Sequence, residues 1–137
     1  MDKDLTSADR VLKALADPTR LRIIGLLQGG EVCVCHIHDS LKIPQSKASR
    51  HLAYLRRAGV VSAEKRGLWV YYKIAAQPNT IAQIFLDAAR HSAAHLLTMK
   101  RDAQRLEQET GCCVPVHPGD GLQCCSDRKR NEVPGVR

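Results

Sequence analysis

The chain has 137 residues, of which 44% are hydrophobic and 26% are charged, and its formal net charge is +7 at pH 7. This length predicts one domain with a single core, and no apolar run approaches the roughly 18 residues of a membrane span. The charged residues 1–5 lack the apolar region of a secretory signal, so we expect a cytoplasmic protein that contacts no membrane.

Most of the excess positive charge lies in residues 46–73. This segment contains one acidic residue, Glu64, and seven basic residues: Lys47, Arg50, Arg56, Arg57, Lys65, Arg66 and Lys73. Localised positive charge is typical of a surface that binds nucleic acid, although a solvated charged face has the same composition.

Apolar residues at helical spacing predict three helices in the first 41 residues. The first covers about residues 5–16. The second begins after Asp17, a typical N-cap, with Pro18 at its first position, and it ends at the glycines 29–30. The third is short, covers about residues 34–41 and is broken by Ile43 and Pro44.

A fourth helix begins near residues 44–46 and ends at Gly59, with a polar, basic face opposite its apolar stripe of Ala48, Leu52 and Leu55. Two short helices joined by a tight turn, the second of them basic, predict a helix-turn-helix. Two strand-like runs, residues 60–64 and 68–74, follow, and Gly67 between them supplies the positive φ of a tight hairpin. A hairpin with a basic tip in this position is a wing.

Residues 78–110 predict one long helix of roughly 45 Å, which is longer than so small a domain can cover. We therefore expect it to pair with a second copy of the chain, together with the first helix, to form a homodimer. The predicted architecture is mainly α with a β-hairpin wing: a winged helix-turn-helix domain over residues 1–110, followed by a flexible, cysteine-containing tail over residues 111–137.

Six cysteines fall in three pairs: Cys33 and Cys35, Cys112 and Cys113, and Cys124 and Cys125. In a reducing compartment such pairs indicate metal binding or thiol chemistry rather than a disulfide framework, and thiolates prefer soft metals and metalloids. Residues i and i+2 point about 200° apart on a regular helix. Cys33 and Cys35 therefore reach one ion only where the start of the third helix is non-helical or unwound.

Together these features resemble the ArsR/SmtB family of metalloregulatory repressors, specifically its arsenite-responsive branch, over about residues 8–108. The similar segments are ALADPTRLRI at residues 14–23, EVCVC at 31–35, the fourth helix at 49–59 and the wing at 66–72. The resemblance implies a dimer that blocks transcription of resistance genes from an inverted-repeat operator on double-stranded DNA. It also implies release from DNA when trivalent arsenic or antimony binds Cys33 and Cys35.

The chain departs from the family pattern because His38 stands where that branch has a third cysteine. Three alternatives remain open: His38 is a ligand and favours Zn, Cd or Pb; two thiols suffice; or a tail cysteine completes the site. Other branches bind arsenite or methylated arsenicals through a vicinal pair near the last helix. Cys112 and Cys113 are therefore candidates for a second or completing site, whereas Cys124 and Cys125 have no assigned role.

The candidate DNA contacts lie in the first turns of the fourth helix and at the tip of the wing. They are Gln45, Ser46, Lys47, Ser49, Arg50, His51, Lys65 and Arg66. Glutamine reads adenine and arginine reads guanine through paired hydrogen bonds, and wing-tip cations suit phosphate or the minor groove. A thiol reductase or a metal-binding protein without DNA is the non-regulator alternative. No Cys-x-x-Cys or phosphate-binding loop supports an enzyme.

Overall fold

The computed structural model describes residues 2–109. Its elements are α1 (Lys3–Leu15), α2 (Pro18–Leu26), β1 (Val32–Cys33), α3 (Val34–Leu41), α4 (Gln45–Arg57), β2 (Val61–Arg66), β3 (Trp69–Ile74), α5 (Thr80–Ser92) and α6 (Leu97–Glu109). The predicted winged helix-turn-helix is confirmed, with α3 and α4 as the helix pair and β2 and β3 as the wing. Within residues 2–109, none of the helices has the length and apolar character needed to cross a membrane.

The start of α2 follows its predicted cap. The Asp17 carboxylate accepts hydrogen bonds from the backbone N–H groups of Thr19 (2.8 Å) and Arg20 (3.1 Å), and Pro18 occupies the first turn. These bonds satisfy N–H groups that have no partner inside the helix. The cap therefore fixes where the chain enters α2, which packs against the helix-turn-helix.

The turn between α3 and α4 is formed by Lys42 in the left-handed conformation, with φ of 58°. The backbone N–H of Ile43 donates to the carbonyl of His38 (3.1 Å), which closes the end of α3. The predicted apolar stripe of α4 is confirmed because Ala48, Leu52 and Leu55 are all buried. This stripe holds one face of α4 on the core and leaves its opposite face to solvent.

The wing belongs to a three-stranded antiparallel sheet with strand order β1-β3-β2. Gly67 has the predicted positive φ, 60°, at the hairpin turn. β1 was not predicted from the sequence because two residues are too few to show alternation. It pairs Val32 with Tyr72 and Cys33 with Tyr71, so the segment that carries Cys33 is hydrogen-bonded to the wing.

The prediction of one long helix over residues 78–110 is wrong, because the chain turns between α5 and α6. The hydroxyl of Ser92 donates a hydrogen bond to the carbonyl of Ala88 (2.8 Å), a contact that commonly bends helices. After the turn, α6 packs back on α2 and α3. Met99 then fits against Gly25, where a Cβ atom would lie 2.6 Å from its Cε. A straight helix would carry Met99 away from this contact.

Candidate nucleic-acid interface and thiol site

The N-terminal half of α4 presents a polar, basic face. Its exposed residues are those predicted from the sequence: Gln45, Ser46, Lys47, Ser49 and Arg50. α4 contains no acidic residue, so no carboxylate on this helix offsets its positive charge. An exposed helix face with this charge and these hydrogen-bonding groups suits the major groove of DNA.

His51, predicted as a further DNA contact, is less exposed than these residues and has contacts inside the protein; its contact with DNA stays a prediction. Its side chain is only 19% exposed, and its Nδ1 lies 3.5 Å from Nη1 of Arg20 and 3.8 Å from Oδ1 of Asp17. Arg20 also donates from Nε to the carbonyl of Ala14 (2.6 Å) and lies 4.1 Å above the Tyr54 ring. His51 and Tyr54 therefore position α4 against the start of α2.

Burial lowers the pKa of His51, while the nearby carboxylate of Asp17 opposes that change. The positive charges of Arg20, Lys47 and Arg50 also lower this pKa. The pKa of Asp17 is lowered as well: its burial acts in the opposite direction, but the backbone N–H of Arg20 and the charge of His51 outweigh it. The ring of His51 is thus held in its neutral form in the folded protein more strongly than in an unfolded chain.

We expect the folded state to lose stability as pH falls from about 7 to 5, in part through His51. Its pKa is lower in the folded than in the unfolded state, so the unfolded chain takes up the proton first and folding becomes less favourable. His51→Gln should make the urea midpoint less dependent on pH over this range. Gln104→Ala, at an exposed position of α6 that carries no titratable group, is the control and should leave the wild-type dependence unchanged.

At the wing tip, Lys65 is exposed as predicted, but Arg66 is already engaged by carboxylates. Its guanidinium donates to both oxygens of Glu31 (2.5 and 2.8 Å) and to Glu64 (2.9 Å). It also lies 4.9 Å from the centre of the Tyr71 ring. The hydrogen bonds to Glu64 and Glu31 raise the pKa of Arg66. These hydrogen bonds join the wing to the loop before β1, and the contact of Arg66 with DNA stays a prediction.

Cys33 and Cys35 lie side by side at the junction of β1 and α3. Their Sγ atoms are 3.0 Å apart, and each residue is only 1% exposed. Cys33 has extended backbone angles, with φ of −69° and ψ of 144°, and α3 begins one residue later. The non-helical geometry required for two thiols to meet is therefore present without any unwinding. The separation exceeds the roughly 2.05 Å of a disulfide bond and leaves both sulfurs within reach of one atom.

His38 does not join this pair in the structure. Its Nδ1 lies 3.5 Å from a carboxylate oxygen of Asp39, and its buried Nε2 has no hydrogen-bond partner among the described residues. Between residues 2 and 109, no three His, Cys, Asp or Glu side chains cluster closely enough to hold a metal ion. The remaining candidates, Cys112 and Cys113, lie outside the described residues, as do Cys124, Cys125 and the predicted tail.

Sequence reasoning missed a buried ion-pair network that joins α6 to α2 and α3. Arg22 donates to both oxygens of Asp102 (2.9 Å each), and Arg105 donates to the same carboxylate (2.6 Å). The two arginines also donate to the last carbonyls of α3, those of Leu41 (3.1 Å) and Ser40 (2.6 Å). The network therefore fixes the end of α3 directly before the turn into α4.

Comparison with known proteins places these features in a family. The protein-family model described as "Bacterial regulatory protein, arsR family" matches residues 17–63. An HTH-type transcriptional regulator of Methanocaldococcus jannaschii is 50% identical over 49% of this chain and 76% of its own length. The arsenical resistance operon repressor of Escherichia coli is 39% identical over 70% of this chain and 84% of its own. The repressor SmtB of Mycobacterium tuberculosis is 40% identical, with 64% of each chain covered.

Solved structures give the same result for the fold. HlyU from Vibrio cholerae superposes with a TM-score of 0.58 at 32% identity, covering 66% of this chain and 96% of that one. A homodimeric winged helix-turn-helix DNA-binding domain from Mycobacterium bovis, described as a possible ArsR-family regulator, has a TM-score of 0.55 at 32% identity. That match covers 66% of this chain and 82% of the domain.

Proposed function

The chain belongs to the ArsR family of regulatory proteins, and from that premise we propose that it is a repressor controlled by trivalent arsenic or antimony. Its relatives and structural neighbours are DNA-binding transcriptional regulators rather than enzymes. The observation that carries the proposal is the pair of sulfurs 3.0 Å apart at the start of α3. The pair lies at the start of α3, the first helix of the helix-turn-helix, and α3 packs on α4, the proposed DNA-reading helix.

In the proposed complex, α4 enters the major groove of double-stranded operator DNA. Gln45, Ser46, Lys47, Ser49 and Arg50 face the bases and flanking phosphates, and Lys65 of the wing contacts the backbone. All six residues are exposed. A two-fold dimer would place two copies of α4 on the two halves of an inverted repeat.

The proposed dimer forms through α1 and α5. These helices pack against each other and leave large apolar side chains exposed: Leu5, Leu12, Ile81 and Ile84. Exposed apolar side chains on two helices that pack together are typical of an interface. The neighbour from Mycobacterium bovis is homodimeric, which supports the proposal of a dimer.

The thiol pair suits trivalent arsenic because sulfur is a soft ligand. Two Cys thiols would exchange with two hydroxyls of arsenous acid: two S–As bonds form, two As–O bonds break and two waters leave. The third position would keep its hydroxyl or take another thiol, for which Cys112 and Cys113 are candidates. Arsenic or antimony is here the inducer, and no catalytic cofactor is required.

Burial of the pair supplies the proposed mechanism of release. Cys33 and Cys35 belong to the hydrophobic core, where neighbouring side chains leave little free volume. Adding an atom and its remaining ligand between them overfills this region and forces β1 or α3 to move. Because α3 packs on α4, the ligand favours conformations in which α4 no longer fits DNA.

The test is a titration of arsenite against labelled operator DNA, followed by fluorescence anisotropy. We expect arsenite to release the wild-type protein, whereas Cys33→Ser with Cys35→Ser should bind the operator normally and remain bound. We expect arsenite to lower the operator affinity of the wild-type protein by about 5- to 150-fold and to leave that of the double variant unchanged. Antimonite should give the same pattern.

The matched control for this test is Cys112→Ser with Cys113→Ser, which removes two thiols of the tail. If only this control variant remains bound to DNA, the proposal is wrong: the sensor then lies in the tail, and methylated arsenicals become the inducers to test. Arsenite-driven release of both double variants would mean that either pair suffices.

One observation favours a second candidate inducer, a borderline metal such as Cd, Pb or Zn. His38 lies on α3 three residues after Cys35, and its buried Nε2 lacks a hydrogen-bond partner among the described residues. A nitrogen of this kind can complete a site with two thiolates. Cadmium titration of His38→Gln decides this point: if cadmium releases wild type and not the variant, while arsenite releases both, His38 is a metal ligand.

A further inference from the structure

A continuous path connects the thiol pair to the wing. Cys33 lies opposite Tyr71 in the β1–β3 ladder. The Tyr71 ring lies beneath the guanidinium of Arg66, 4.9 Å away, and Arg66 donates two hydrogen bonds to Glu31. Glu31 is two residues before Cys33. The backbone pairing, the ring contact and the ion pair therefore connect the thiol pair to the end of β2.

The geometry of the Glu31–Arg66 pair suits transmission of movement. Two parallel N–H···O bonds fix both the distance and the orientation of a guanidinium relative to a carboxylate. Single exposed ion pairs contribute little to stability, and both side chains here are partly exposed. The pair is thus better placed to couple two segments than to stabilise the fold.

We propose that Glu31 and Arg66 relay ligand binding at Cys33 and Cys35 to the wing, so that the wing loses its DNA contact together with α4. The proposal rests on the proposed function, because it takes the thiol pair as the sensor. Displacement of β1 by a bound atom moves Glu31, and Glu31 draws Arg66 with it. Lys65, the neighbour of Arg66 at the wing tip, then changes its position relative to the DNA backbone.

Glu64 provides a matched control in the same cluster. It also accepts a hydrogen bond from Arg66 (2.9 Å), but both residues belong to β2. Glu31→Gln and Glu64→Gln therefore remove the same charge from the same guanidinium, and only Glu31→Gln breaks the connection to β1. Both variants are compared with wild type in full-length protein.

Two measurements test whether Glu31 and Arg66 relay arsenite binding to the wing. The first is operator affinity by anisotropy, with and without arsenite. The second is the fluorescence of Trp69, the chain's single tryptophan, which pairs in register with Arg66. Without DNA, we expect arsenite to change Trp69 fluorescence in wild type and in Glu64→Gln, and to change it much less in Glu31→Gln. Arsenite should lower the operator affinity of Glu31→Gln about 3- to 10-fold less than that of wild type.

Isothermal titration calorimetry with arsenite, with Cys33→Ser plus Cys35→Ser as the reference protein, shows in each protein whether arsenite has bound to this pair. If Glu31→Gln binds arsenite and responds like wild type in both measurements, the relay is wrong and the proposed function stands. If both variants lose operator affinity equally and keep the wild-type response to arsenite, the cluster is merely structural. If wild type itself does not respond to arsenite, the proposed function and the relay both fail.

Discussion

Replacing Asp102 by alanine is expected to lower the free energy of unfolding by about 3 kcal/mol. The Asp102 side chain is 1% exposed and accepts hydrogen bonds from Arg22 and Arg105. Removing one partner of a buried ion pair leaves the other charge without compensation, and this accounts for most of the cost. We expect a value at the lower end of the known range because the Arg22 side chain, 23% exposed, can recover some hydration.

Urea unfolding at fixed protomer concentration measures this effect, because the proposed dimer would make stability depend on concentration. Gln104→Ala, at an exposed position of the same helix, is the control and should change stability by less than about 0.5 kcal/mol. In a double-mutant cycle, Arg22→Ala and Asp102→Ala should be clearly non-additive. Additive effects, or a cost below about 1 kcal/mol for Asp102→Ala, would show that α6 is not held by this network.

The ion-pair network of Asp102 with Arg22 and Arg105 also has a consequence for DNA binding. Arg22 and Arg105 donate to the last carbonyls of α3, those of Leu41 and Ser40. Without Asp102, both guanidinium groups lose the carboxylate that orients them, and the end of α3 is freed before the turn into α4. We therefore expect Asp102→Ala to weaken operator binding under conditions in which the variant remains folded.

Local signals in the sequence predicted most of the helix-turn-helix and the wing. The Asp17 cap, the bounds of α3, the buried stripe of α4 and the turn at Gly67 all depend on residues close together in the chain. β1 and the break after Ser92 depend on distant partners: β1 exists because β3 pairs with it, and α6 turns back because Met99 meets Gly25. Periodicity carries no information about such partners.

The same distinction explains the candidate site. Exposure of Lys47 and Arg50 follows from the periodicity of α4, whereas the contacts of His51 and Arg66 depend on Asp17 and Glu31, which lie far away in sequence. One feature of the sequence could have indicated that Asp102 is buried: it follows Met99 by one helical turn and so lies on the buried face of α6. An acidic residue on such a face requires a buried basic partner, but the sequence does not identify Arg22 as that partner.

Lys47→Ala with Arg50→Ala should weaken operator binding roughly 100-fold, equivalent to about 3 kcal/mol. Both side chains are exposed on the N-terminal half of α4, where helix-turn-helix proteins reach base edges and the adjacent phosphates. Losing two cations should also reduce the slope of log affinity against log salt by about 2. Anisotropy titrations at several salt concentrations measure both quantities.

Lys100→Ala with Arg101→Ala is the matched control, because it removes two exposed positive charges from α6. A general electrostatic effect would weaken DNA binding equally in both double variants, whereas direct contact by α4 predicts a large loss in the first variant alone. Comparing binding to operator and to scrambled DNA distinguishes contacts with base edges from contacts with phosphates. Contact with base edges lowers the preference for operator, and contact with phosphates alone weakens binding to both DNAs by the same factor. Equal affinities for the α4 variant and wild type would exclude this face of α4 as the DNA-reading surface.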